Sequence, residues 1–329
     1  MNNKIKVGVI GSGHLGKIHT KLWKQVNDAE LTGVYDINTE TAQNLADEHG
    51  IINYKSIEDI ISFNDAIDIV TPTSTHFEIA VQSIKNNKHC FIEKPVTANS
   101  LEAEELYILE KNSKVIIQIG HVERYNPAFT GAVKYNPAPM FIESHRLSQF
   151  SPRATDVSVI LDLMIHDIDL VVNLVKSPLK EIRASGVSVL SNEIDIANAR
   201  LEFENNCVAN LTSSRISNTP LRKMRLFAQD SYISMDFIQP SIEVFRMTNG
   251  FDLDKTNIIT SIAGANGTKN IFYEKPEIDK VNAILMELNS FINSIKNNTP
   301  SEVTLNEGKY NLFVAESILS KIAETNLNK

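Results

Sequence analysis

The chain has 329 residues, 42% of them hydrophobic and 22% charged, enough apolar material for about two packed domains and too much for a disordered chain. Its formal net charge of −8 argues against nucleic acid or an anionic membrane as the main partner. Two cysteines, Cys90 and Cys207, cannot make a disulfide framework; no apolar run approaches the roughly 18 residues of a membrane span, and the N-terminus enters a strand pattern with no signal-peptide core, so a reduced, cytoplasmic setting is expected.

The first third alternates between two periodicities. Ile5 to Ile10 is a short apolar run rich in β-branched residues, which predicts a buried strand. Leu15, Ile18, Leu22 and Val26 then recur at helical spacing. Strands are predicted at Leu31–Ile37, Ile67–Thr71, His89–Ile92 and Val115–Gly120. Helices are predicted at Thr39–His49 behind an Asn38 cap, at Ser56–Phe63, at Thr75–Asn86, and at Ser100–Lys111 with Ser100 as cap. Such alternation implies right-handed crossovers and a parallel sheet covered on both faces. From Met140 the strands come in succession: Met140–Gln149, Ile182–Leu190, Ala197–Glu204, Cys207–Ile216, Lys223–Gln229, Tyr232–Phe237 and Ile242–Met247, interrupted by one helical segment, Val157–Lys176. This predicts a large, mostly antiparallel sheet with helices on one face. Asn205-Asn206 and Asp230-Ser231 read as hairpin turns. Ile258–Tyr273 is ambiguous, with a loop at Gly264, Asn266 and Gly267, and the end is helical over Asp279–Lys296 and Glu307–Asn326. The fold class is therefore α/β: a doubly wound parallel domain over 1–122, then an α/β domain over 123–329.

Gly11-Ser12-Gly13-His14-Leu15-Gly16 matches G-x-G-x-x-G between a predicted strand and a predicted helix. Gly11 allows the tight turn, Gly13 lets backbone approach a pyrophosphate, and Gly16 allows close packing behind the helix start. The helix N-terminus offers unpaired N–H groups to phosphate. Asp36, 20 residues beyond Gly16, stands where a carboxylate accepts from the ribose hydroxyls of NAD and repels the 2′-phosphate of NADP. NAD is the expected cofactor.

Three further segments complete a pattern: Thr71-Pro72-Thr73-Ser74-Thr75-His76, Glu93-Lys94-Pro95, and Asp162-x-x-x-His166-x-x-Asp169. In this order and spacing the chain resembles the Gfo/Idh/MocA oxidoreductases over essentially its whole length. The run His121-Val122-Glu123-Arg124-Tyr125-Asn126-Pro127-Ala128-Phe129, and Arg215 with Arg222, Lys223 and Arg225, are similar to the branch that oxidises UDP-N-acetylglucosamine at C3. The resemblance implies a Rossmann domain, hydride transfer between NAD(P) and a secondary alcohol of a sugar or nucleotide-sugar, and a homodimer or homotetramer built through the C-terminal sheet. Two departures concern the pocket: Val157-Ser158-Val159-Ile160 replaces a Gly-rich entry, and Met164 stands where a small residue is usual.

Alcohol oxidation needs a base that works near neutral pH, and histidine has the nearest ordinary pKa, about 6.5. Asp162 and His166, four apart, share a helix face. Lys94 is kept extended by Pro95 at a strand end, where open α/β sheets bind ligands. Lys94 and His166 are the expected proton-handling pair, with Asp162 as imidazole orienter or hydroxyl ligand; all three are expected at the substrate. Ser12, His14, Leu15, Thr71, Pro72, Thr73, His76, Glu93, Lys94 and His121 join the glycines and Asp36 as cofactor residues. For His76 a helix-capping role and a cofactor role stand equally, and for Asp169 a structural and a functional one. Arg124, Tyr125 and Asn126 read either as a substrate cradle or as hinge contacts. Arg215 and its basic neighbours read either as a diphosphate site or as a salt-bridged strand face. No cysteine or histidine spacing suggests a metal. An inositol or free-sugar dehydrogenase, active without a nucleotide on its substrate, and an NAD-sensing regulator without turnover are the alternatives.

Overall fold

The computed structural model describes residues 4–151, 157–249, 258–264 and 267–327, which form two compact units. The first combines Met1–Val122 with Asn282–Phe313. Its strands are β1 (Ile5–Ile10), β2 (Ala29–Tyr35), β3 (Ile52–Asn53), β4 (Ala66–Ile69), β5 (His89–Glu93) and β6 (Ile117–Gly120), in a parallel sheet of order β3-β2-β1-β4-β5-β6. Helices α1 (His14–Trp23), α2 (Thr39–His49), α3 (Ile57–Phe63), α4 (His76–Lys85) and α5 (Ser100–Lys111) alternate with them. The order steps outward from β1 in both directions, so the crevice at the strand C-termini opens beside β1 and β4. Asn38 caps α2 as expected, its side chain accepting from Thr41 N–H. The cap of α5 is Asn99 rather than Ser100: Asn99 is extended and accepts from Glu102 N–H, while Ser100 is already helical.

Residues assigned by sequence to the second half join this unit. After β6, helix α6 (Pro127–Val133) belongs to the second unit, but α8 (Ala283–Asn297) returns to the first and buries Leu288, Phe291 and Ile292 in its core. Phe291 meets Phe91 edge-on, with ring centroids 5.9 Å apart. Each such side chain contributes about 1.5–3 kcal/mol of burial, which outweighs any preference for staying with its chain neighbours. The segment after α8 then covers the edge of β6: Ile119 N–H donates to Val303 O, and Ser301 Oγ to Ile117 O at 2.6 Å.

The second unit comprises Glu123–Val281 and Val314–Lys329, the latter from the last helix, α9 (Leu305–Leu327). Its sheet holds β7 (Phe141–Leu147), β8 (Leu179–Val187), β9 (Ile196–Phe203), β10 (Val208–Ser214), β11 (Leu221–Phe227), β12 (Ser231–Asp236), β13 (Ser241–Asn249), β14 (Ile258–Gly264) and β15 (Gly267–Glu274), in the order β14-β15-β13-β12-β11-β7-β10-β9-β8. All pairs are antiparallel except β7 with β10. The ambiguous stretch forms the β14–β15 hairpin; Asn266 at its expected loop lies outside the described residues. Period-two alternation separates the faces. Ile142, Leu211, Met224, Met235 and Val244 are fully buried under α6 and α7 (Ile165–Val175). On the other face Phe141, Phe227, Tyr232, Phe245 and Tyr273 form a cross-strand row with centroid spacings of 5.9, 5.0, 5.6 and 4.9 Å.

Cys90 and Cys207 are buried free thiols, pushed up to about 12 and about 11 by burial, which makes them packing groups rather than nucleophiles. Among the described residues no helix is long and apolar enough to cross a membrane.

Candidate active site

In the first unit the expected cofactor residues gather at one edge of the sheet. The turn Gly11–Gly16 follows β1, Asp36 follows β2, Thr71–His76 follows β4, Glu93 and Lys94 end β5, and His121 follows β6. Parallel strands put all these C-termini side by side. Gly11 has φ +114°, and a Cβ there would lie 2.6 Å from Val70 O. At Gly16 a Cβ would lie 2.0 Å from Gly11 O, so this glycine serves closure of the turn itself rather than helix-to-sheet packing alone. A Cβ on Gly13 would meet nothing within 4 Å. Gly13 is also the N-cap of α1, which has no side-chain capping bond and no acidic residue in its first turn. An uncapped helix end beside open space suits the phosphates of a dinucleotide.

Asp36 is half-buried and braces this turn. Its Oδ2 accepts from Ser12 N–H at 2.6 Å and Ser12 Oγ at 2.9 Å, and its Oδ1 from Asn38 N–H at 2.8 Å. A carboxylate has further lone pairs, so ribose hydroxyls remain within its capacity. These features fit a dinucleotide. Gly13→Ala is expected to fold like the wild type but to bind NADH at least about tenfold more weakly, because one methyl occupies the phosphate approach. Gly16→Ala should lower the melting temperature. Equal NADH titrations for Gly13→Ala and wild type would contradict the phosphate role of the turn.

His76 does something other than reach into the crevice. It is buried, with Nδ1 3.0 Å from Pro95 O and Nε2 2.9 Å from Thr71 O. Both ring nitrogens face main-chain carbonyls, so the imidazole clamps the loop after β4 to the loop after β5; burial lowers its pKa. Thr75 Oγ1 donates within the same loop, to Pro72 O and Thr71 Oγ1. Lys94 is half-buried, with its N–H donating to Glu93 Oε2 at 3.1 Å, and the Lys94–Pro95 peptide is cis. His121 is buried, with Nε2 3.4 Å from Asn311 Nδ2.

In the second unit Asp162 lies in a π-helical turn, Ile160–Met164, that leads into α7 and His166. Single π-turns inside helices mark functional sites disproportionately. Both side chains are half-buried, whereas Asp167 and Asp169 are buried. The departures noted above are packing changes: Val159, Ile160 and Met164 are each 0% exposed, so they fill the core of this unit.

The expected substrate residues divide here. Asp169 accepts a two-pronged pair from Arg124, 2.8 Å each from Nε and Nη2, and both residues are buried, which gives Asp169 a structural role. Asn126 spends its whole amide internally: Nδ2 donates to Glu123 Oε2 and Phe237 O, and Oδ1 caps α6 at Ala128 N–H. That cap, with Pro127 in the first turn, was a readable helix signal the sequence reading passed over. Tyr125 is buried. Arg215 is 4% exposed, donates to Val157 O and lies 3.7 Å from Asp195; burial pushes that carboxylate up, but the main-chain N–H groups of Val189, Leu190 and Ser191 with the Ser191 hydroxyl together outweigh it and hold it well below its usual range. Its neighbours pair too: Arg222 with Glu123, Lys223 with Asp236, Arg225 with Glu143. The basic cluster is therefore a salt-bridged strand face.

Sequence reasoning missed Arg146 and the pair His19–Asp68. Arg146 is 2% exposed, takes both oxygens of Asp167 at 2.9 and 3.0 Å and Glu123 Oε1 at 2.7 Å. Its inward position on β7, in phase with Ile142 and Ser144, was the available signal: a cation at a core position needs buried acids.

Comparison with known proteins agrees with this arrangement. Residues 5–121 match a model described as "Oxidoreductase family, NAD-binding Rossmann fold", and residues 119–234 one described as "GFO/IDH/MocA C-terminal domain". UDP-N-acetylglucosamine 3-dehydrogenase of Acidithiobacillus ferrooxidans is 35% identical over 297 residues, 90% of each chain. The chain belongs to the GFO/IDH/MocA oxidoreductase family. A solved structure of the A. ferrooxidans enzyme superposes with a TM-score of 0.87 at 32% identity, covering 97% of this chain and 98% of that one. The NAD(+)-dependent scyllo-inositol 2-dehydrogenase of Bacillus subtilis is 29% identical over 239 residues, 66% of this chain and 69% of its own. This family member is thus an oxidoreductase whose first unit is an NAD-binding Rossmann domain.

Proposed function

We propose that the protein is an NAD-dependent dehydrogenase of a secondary alcohol on a nucleotide-sugar, with UDP-N-acetylglucosamine oxidised at C3 as the leading substrate. The observation that carries the chemistry is Lys94 at the C-terminal end of β5, on the same sheet edge as the Gly11–Gly16 turn and Asp36. The substrate assignment is supported by the A. ferrooxidans relative, similar over nine-tenths of both chains. NAD is favoured over NADP because the Asp36 carboxylate would repel a 2′-phosphate. NAD would be held by the Gly11–Gly16 turn and Asp36 and, when bound, would supply the hydride acceptor for the carbinol carbon. Lys94 polarises the reacting oxygen with its ammonium, His166 takes the hydroxyl proton, and Asp162 orients the imidazole or accepts from a neighbouring substrate hydroxyl. Thr71, Pro72, Thr73, Glu93 and His121 line the cofactor crevice, with His14 and Leu15 at the helix start.

A second reading, an inositol or free-sugar dehydrogenase, is favoured by one finding: Arg215, Arg222, Lys223 and Arg225 are all paired with acids and so offer no ready diphosphate site. A screen following NADH absorbance with UDP-sugars, free sugars and inositols separates the two. Turnover of UDP-N-acetylglucosamine well above all the others is expected. Activity confined to sugars or inositols without a nucleotide would overturn the first reading in favour of the second, and NADPH formed as readily from NADP would refute the Asp36 argument.

The aromatic row on the open face of the second sheet supports a homodimer or homotetramer built through that face. Phe245→Arg should then sediment as a smaller species than wild type, and a monomeric wild type would rule this out. The two buried thiols are consistent with a cytoplasmic location, which cell fractionation tests.

A further inference from the structure

Behind the cofactor edge of the first unit a buried chain of titratable groups, His19 and Asp68, runs to Glu93. His19 on α1 is 0% exposed. Its Nδ1 lies 2.9 Å from Asp68 Oδ2 and its Nε2 3.4 Å from Glu93 Oε1. Asp68, itself 0% exposed in the middle of β4, also accepts from Trp23 Nε1 at 2.7 Å, one helical turn beyond His19. The Phe91 ring packs edge-on against the imidazole, with centroids 5.7 Å apart. The far side of the Glu93 carboxylate is closed by main chain, since a Cβ on Gly120 would fall 2.7 Å from Glu93 Oε1. The remaining oxygen of Glu93 receives the Lys94 N–H.

We infer that His19, clamped between two carboxylates, is a positioning residue for the reaction, fixing Lys94 at the strand end through Glu93. This rests on the assignment of Lys94 to proton handling. A neutral imidazole can donate to Asp68 alone; the imidazolium keeps that bond and adds an ion-pair attraction to Glu93 Oε1, 3.4 Å from Nε2. Burial opposes that charge, yet Asp68 and Glu93 outweigh it and raise the pKa of His19. Burial in turn raises Glu93, while His19 and Lys94 pull it back toward the carboxylate and Asp68 pushes the other way. The titratable groups facing His19 are thus Asp68 from β4 and Glu93 from β5, with Lys94 beyond. Without the imidazolium, two carboxylates would share an apolar interior, and Glu93 would take up a proton. A protonated Glu93 accepts the Lys94 N–H more weakly than the carboxylate does, and the contact that sets the lysine's main chain loosens.

The test uses His19→Gln, Glu93→Gln, Asp68→Asn and Lys94→Ala, each followed by kcat, KM, pH profile, NADH binding by fluorescence and thermal unfolding. In His19→Gln the inference expects kcat to fall about 10- to 100-fold, with NADH affinity unchanged. The acid limb of kcat/KM should move up by about one pH unit, because Glu93 loses the cation beside it. Glu93→Gln should lack that shift, the acid limb of the His166 base remaining, and adding His19→Gln to it should lower kcat no further. If His19→Gln fails to fold, Asp68→Asn carries the test. Losing Asp68 removes the larger of the two acids that raise the pKa of His19, so activity should fall with rising pH along a new alkaline limb that the wild type lacks. A lower melting temperature with an unmoved acid limb, or no new limb in Asp68→Asn, would overturn the positioning role while an inactive Lys94→Ala left the lysine assignment intact. Normal turnover by Lys94→Ala would overturn both.

Discussion

Replacing Lys94 or His166 with alanine is expected to lower kcat by about 10²- to 10⁴-fold while leaving NADH affinity within about threefold. The size follows from the chemistry: each side chain is assigned a proton-transfer or oxygen-polarising role in the transition state, and neither belongs to the glycine turn that receives the phosphates. His166→Asn keeps a hydrogen-bonding side chain of similar reach but accepts no proton, so it should be nearly as inactive as His166→Ala. Lys94→Arg keeps the charge but replaces a compact ammonium with a planar fork, and should recover little. Asp162→Asn should cost less, because an amide can still hold the imidazole or a substrate hydroxyl. Stopped-flow turnover beside NADH fluorescence titration reads both quantities. An alanine variant with wild-type kcat would remove that residue from the mechanism, and a variant that lost NADH binding in proportion would make it a cofactor ligand instead.

Arg146→Ala should destabilise the second unit by about 3–5 kcal/mol. Its guanidinium is 2% exposed and satisfies Asp167, also 2% exposed, through two hydrogen bonds, with Glu123 taking a third. Burial opposes the charge on Arg146, but the two acids outweigh it and raise its pKa. Removing the arginine strands the Asp167 carboxylate in the core, whereas Glu123 keeps Asn126 and Arg222 nearby. Asp167→Asn added to Arg146→Ala should therefore recover part of the loss, since it removes the stranded charge. Urea unfolding of the single and double variants measures this. The exposed Arg183–Glu181 pair is the control, and Arg183→Ala should leave the midpoint where it was. Independent, additive losses for Arg146→Ala and Asp167→Asn would show that the buried pair is not coupled.

Much of the first unit was legible because its signals are local. The strand at Ile5–Ile10, the glycine turn and the Asn38 cap each depend on residues a few positions apart, and each stands where the sequence put it. The cap of α5 slipped by one residue because Asn99 and Ser100 are both good caps and only backbone conformation distinguishes them. The placement of α8 with the first unit was not legible, since an amphipathic helix shows that it has an apolar face but not which core receives it. In the second unit the alternating strands were readable, but the sequence left Arg124, Asn126 and Arg215 open between ligand and structural roles, because charge and amide groups carry no sign of being already paired.

What the sequence determined alone was the alternation of β and α elements in the first 122 residues, and with it a sheet whose strand ends carry the phosphate turn, Asp36 and Lys94 along one edge. That order follows from hydrophobic periodicity and from glycine stereochemistry, both properties of neighbouring residues. Only the tertiary structure decided which charges meet: Arg124 with Asp169, 45 residues apart, and His19 with Asp68, 49 apart. A hydrogen bond forms within about 3 Å and gains its strength from exclusion of water, so the partner of a buried charge is set by strand register and burial rather than by its place in the chain.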